Sequence, residues 1–146
     1  MKTFTKVVII TLVFAIPAFL LGRVIWPPDP MLSTPTSMQL PFFIFLSALE
    51  AITFGLGVSF IIFVGPMIKL VPTEWRTKAW WSFMALTWLL VSWWPHDNLH
   101  QHNGMNLQGL LYIEYGFHLT LIIAGFILAY SFATFLKKKM TASAQA

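Results

Sequence analysis

Cysteine is absent from this 146-residue chain. Disulfides, thiolate metal sites and cysteine nucleophiles are therefore excluded. Charge is scarce as well: 10% of the residues are Asp, Glu, Lys or Arg, where a soluble domain carries about 25%. Only five residues are acidic. No nucleophile triad, phosphate-cradling glycine loop or dinucleotide fingerprint is present, and Gly55-x-Gly57 falls inside an apolar run, where two glycines serve helix packing. The net charge of +4 does not indicate nucleic acid, because the basic residues flank apolar segments and form no polar basic face.

What fills the chain is apolar: 58% hydrophobic residues, 16% aromatic and a mean hydropathy of +0.74. Continuous runs broken by short polar stretches indicate membrane-spanning helices and not a barrel, whose strands alternate. Four runs approach or exceed the roughly 20 residues of a crossing: about 7–26, 42–68, 73–94 and 107–136. The expected fold is an all-α integral membrane protein, a four-transmembrane-helix bundle in one domain over 1–139, with a disordered tail over 140–146. Pro41, Pro72 and Pro95 punctuate the runs near helix ends, while Pro17 falls inside the first and is expected to kink it. Lys2 and Lys6 precede the first run as in a secretory signal, but no small-x-small cleavage pattern follows, so it is read as a retained helix.

Orientation comes from the basic residues. Lys2, Lys6, Lys69, Arg76, Lys78, Lys137, Lys138 and Lys139 fall on one side of the expected bundle, and Arg23 alone falls on the other. The positive-inside rule then puts both termini in the cytoplasm of a cell with a plasma (inner) membrane. Trp26, Trp93 and Trp94 mark the outer interface, and Trp75, Trp80 and Trp81 the inner one. The segment WWPHDNLHQHNG, Trp93 to Gly104, faces outward, as does the proline-rich loop WPPDPMLSTPTSMQLP.

Two groups of polar residues invite chemistry. The outer segment holds three of the four histidines, in the pattern His96-x3-His100-x-His102. If the backbone after Pro95 makes a helical turn, His96 and His100 face one way, and a turn at Asn103-Gly104 could bring in His102. Three imidazoles, with Asp97 or a buried glutamate as fourth ligand, suit zinc, copper(II) or iron(II), and an outward location favours copper or zinc. Met31, Met38 and Met105 lie on the same side, and thioethers suit copper(I). The plainer account is a polar loop capping the last helix through Asn106.

The second group is intramembrane. Glu50 lies ~12 Å below the outer end of its run, and Glu114 and His118 lie ~10 and ~16 Å deep. Glu114 and His118 are spaced i, i+4 and share a face. With Gly57 and Gly125 allowing close approach, the second and fourth helices are expected to pack together with Glu50, Glu114 and His118 in one inward layer. A buried Glu–His pair can also serve only to join two helices.

Three functions fit these features. One is an outward-facing metal-binding membrane protein, with His96, His100, His102 and Asp97 as ligands above the Glu/His layer. Another is an accessory helical subunit of a larger membrane complex, such as a respiratory oxidase or copper-dependent monooxygenase, or a homo-oligomer. The third is a small membrane enzyme on an apolar substrate, with Glu50, Glu114 and His118 as catalytic candidates and Glu114–His118 as the acid–base pair.

Overall fold

The computed structural model of the chain describes residues 3–143, the side chains at 139 and 142 excepted. Every regular element among them is helical: α1 Thr3–Ile25, α2 Leu40–Val64, α3 Thr73–Val91, α4 Trp93–Asn103 and α5 Leu107–Ser143. A 3-10 segment, Gly65–Leu70, continues α2. Pro17 is accommodated within the continuous α1.

Three helices are long and apolar enough to cross a membrane: Thr3–Ile25, Leu40–Leu70 and Leu107–Lys138. α3 is not among them, because Glu74, Arg76 and Lys78 occupy its first two turns. The chain leaves α3 at Ser92 and starts a separate helix at Trp93, in place of one run to residue 94 followed by a loop. Pro95 lies in the first turn of α4, where its missing N–H goes unused. Gly104 ends α4 with φ +56°, its N–H donating to the His100 carbonyl. A side chain at Gly104 would strike Asp29 as well as strain the backbone. At the other end of α5 the helix continues to Ser143, where the sequence suggested a tail from residue 140; residues 144–146 lie outside the described part.

The core is made mostly of small residues, with Ile68, Phe83 and Phe117 as its large members. Ala15, Ala18, Ala51, Ala85 and Ala124 are buried, while large side chains such as Leu20 and Phe126 point outward. This is the packing of helices in lipid, where small residues let backbones approach and apolar bulk faces the hydrocarbon. α1 and α2 run antiparallel. Ser59 links them, within 3.0 Å of the Thr11 hydroxyl and donating to the Val7 carbonyl at 3.2 Å. Gly55 sits against the Thr11 carbonyl, where a Cβ would collide with backbone.

α3 runs back along α2, with Leu90 and Val91 beside Gly57 and Phe83 beside Gly65. α5 then runs along α3, joined by a hydrogen bond from Ser82 to Ser131 of 2.8 Å and by Lys78 and Lys138 over aromatic rings of Tyr130 and Trp75. Lys6, Arg76, Lys78 and Lys138 thus share one end of the bundle, and Arg23 and α4 the other. The expected pairing of the second run with the fourth does not occur. α5 touches α3 and α4 but not α2, because α3 and α4 stand between them. Gly57 is spent on α3, and Gly125 faces open space.

Candidate metal centre

α4 is short, but it presents a different polar group on each side. His96 and His100, one turn apart, face α5. Their Nε2 atoms lie 3.1 Å apart. Glu114 of α5 meets them: its Oε1 is 2.7 Å from His100 Nε2. His118, one turn further along α5, places Nδ1 2.6 Å from Glu114 Oε2 and 3.0 Å from the Glu114 carbonyl. With Nδ1–H donating to these oxygens, the Nε2 of His118 is left as a free electron-pair donor. Phe117 braces the group from below: the His96 ring stacks on it at 3.7 Å, and Trp93 meets its edge at 5.0 Å.

Ligand atoms of His96, His100 and Glu114 all lie within 4.8 Å of one another. These three residues could hold a metal ion. Tetrahedral ligands at ~2.0–2.1 Å from a metal stand about 3.3 Å apart, so the imidazole pair is within a few tenths of an ångström of that spacing. Burial, and then the facing His100, push His96 below the ordinary imidazole range. At neutral pH it carries no proton on one nitrogen, which is the form that ligates. The centre is open on the α5 side, where the Glu114 and His118 side chains are 41% and 56% exposed.

His102 is turned away. Its Nδ1 lies 2.7 Å from the Pro27 carbonyl and ties the proline-rich loop to α4. Helix geometry explains this: the backbone remains helical through Asn103, so His102 stands about 200° around the axis from His100. The turn at Gly104 comes too late to bring it back. Asp97 also points elsewhere. It accepts from Gln101 Nε2 at 2.8 Å and lies beside the Glu50 carboxyl of α2. Glu50 is therefore separated from Glu114 and His118 by the width of α4, and the three do not form one layer. Met31, Met38 and Met105 are exposed and outside the cluster.

The sequence pointed to His96 and His100 as a pair, to Glu114 and His118 as a pair, and to Asp97 or a buried glutamate as a further ligand, but did not single out Glu114. One signal for it was available: Pro95 near the start and Gly104 after the end mark residues 93–103 as a helix, and two i, i+4 polar pairs on consecutive helices fit face to face.

Comparison with protein-family models, with curated proteins and with solved structures finds no match to the chain.

Proposed function

We propose that this is a small integral membrane protein that binds a divalent transition metal, copper or zinc, through His96, His100 and Glu114. The observation that carries the reading is the convergence of three donor atoms within 4.8 Å, contributed by two helices. Two neutral imidazoles and a carboxylate suit zinc(II) or copper(II). Three protein ligands leave a fourth position, which His118 Nε2, water or a substrate can take. The hydrogen bond from His118 Nδ1 to Glu114 orients that carboxylate, as partners of metal ligands commonly do. His102 and Asp97, engaged with Pro27 and Gln101, are not needed as ligands.

The proposed topology is four crossings, with both termini in the cytoplasm and α4 at the outer face of a plasma membrane. α3 supports this by its length, ~28 Å for 19 residues, and by lying between α2 and α5. The clustering of basic residues opposite Arg23 supports the orientation.

A second reading, an accessory subunit or homo-oligomer, draws on one observation. Glu114 and His118 are half-exposed on a face that also shows Leu111, Tyr115, Leu119 and Ile122. Ionisable groups on a lipid face are costly, so a neighbouring protein surface is favoured there.

Elemental analysis with native mass spectrometry of protein purified without chelators tests both. The expected result is one zinc or copper per chain, lost in His96→Ala and His100→Ala and kept in His102→Ala. Wild-type protein that carries neither metal and takes up neither on titration ends the metal reading. Co-purifying subunits or a defined oligomer would favour the second.

A further inference from the structure

The other side of α4 holds a second polar site. A cavity of about 360 Å³ lies between α1, α2 and α4, a volume in the range of small-ligand pockets, about 300–1,000 Å³. It is lined by one acidic and one basic residue, Glu50 and Arg23. Glu50 lines the wall at 8% exposure, with Asp97 of α4 beside it but outside the lining. Arg23 lines the same cavity, is exposed, and makes no hydrogen bond or ion pair among the described residues. Among the described residues it is the one Lys or Arg at this end of the bundle.

The remaining polar lining is half-satisfied. Asn98 spends its amide N–H on the Trp94 carbonyl and Gln101 spends its own on Asp97. Their side-chain oxygens remain as acceptors. Leu20, Phe43 and Ile44 form the mouth, and they are 65%, 43% and 51% exposed on the outer surface of α1 and α2. In a bilayer this mouth opens onto acyl chains, not onto water.

A ligand that fits brings a cation with several N–H donors, an anion beside it, and an apolar body leaving through the mouth. We propose that the cavity binds the headgroup of a zwitterionic aminophospholipid, with the ammonium on Glu50 and the side-chain oxygens of Asn98 and Gln101, and the phosphate on Arg23. An ammonium has three N–H donors, enough for one carboxyl group and two amide oxygens. A guanidinium fork matches phosphate oxygens in pairs. The same lining discriminates among lipids. A choline headgroup has no N–H to give Glu50, and an anionic glycerol headgroup offers no cation at all. The site is independent of the metal centre, because it uses the opposite face of α4.

The test is native mass spectrometry of the full chain in detergent with an equimolar mixture of phosphatidylethanolamine, phosphatidylcholine and phosphatidylglycerol. One phosphatidylethanolamine is expected to be retained, favoured about tenfold or more over the other two, the equivalent of about 1.4 kcal/mol. Arg23→Ala and Glu50→Gln should each lower that retention about tenfold. Arg23 is exposed, so its variant should fold, and its bound metal should match wild type. Soluble phosphoethanolamine is added separately. If it binds alone and displaces the lipid, the headgroup chemistry stands and the natural ligand is the soluble compound. Equal retention of all three lipids overturns the proposal, as does phosphatidylethanolamine retention unchanged in both variants.

Discussion

His100 Nε2 and Glu114 Oε1 lie 2.7 Å apart, and this contact joins the short helix α4 to the 37-residue helix α5. Around it, four side chains from two i, i+4 pairs meet across the α4–α5 seam. Neither pair alone offers enough donors for a metal, and together they supply three convergent atoms and a fourth nearby.

Glu114 is the ligand that tests this arrangement most directly. Glu114→Gln keeps the size and removes the anionic donor, so His96 and His100 are left as two ligands. Affinity for zinc or copper(II), measured by competition against a chromophoric chelator, should fall roughly 100-fold or more, beyond the 10–100-fold typical of residues that only support a ligand. His118→Ala should fall within that smaller range if His118 only orients Glu114. Unchanged affinity in Glu114→Gln would remove α5 from the site.

The metal-free protein should lose stability in mild acid. His96 is held below its ordinary range in the fold, first by burial and then by His100. As pH falls, the unfolded chain takes up the proton at about 6.5, before the folded chain does. Stability is therefore fully present above about pH 6.5 and declines from there toward the lower folded value, where it levels off. His96→Gln should flatten this slope. Melting temperatures of chelator-stripped wild type and variant between about pH 8 and 5 provide the check. Parallel curves would show that His96 does not drive the dependence.

Topology separates four crossings from three. With α3 crossing, tags at the N- and C-termini should both be protected from a membrane-impermeant reagent in intact cells, while one near Met105 should react. Three crossings would put the termini on opposite sides. Labelling of one terminus alone therefore refutes the proposed orientation.

Much of the fold was legible in the chain. Apolar runs gave α1, α2 and the start of α5 within a few residues, because burial in hydrocarbon acts on every residue of a span, while the polar last two turns of α5 were not foreseen. Lys6, Arg76, Lys78 and Lys138 share one end of the bundle, while Lys2 of the same expected group lies outside the described residues. α3 was harder: its charged first turns and tryptophans dilute an apolar stretch whose role depends on the helices beside it. The helical state of Trp93–Asn103 was written in Pro95 and Gly104, yet its polar content suggested a loop.

What the sequence determined by itself was local or averaged: helix positions, charge asymmetry, and the i, i+4 spacing of His96 with His100 and Glu114 with His118. What only the tertiary structure decided was which of these faces meet. The rotation of α4 puts His96 and His100 toward α5 and Asp97 toward Glu50, and it leaves His102 on the Pro27 carbonyl. That rotation follows from contacts distant in sequence, including the Trp94 N–H on the Ala18 carbonyl and Asn98 beside Gly22. Helical periodicity fixes the angle between side chains on one helix, but not the angle at which that helix faces its neighbours.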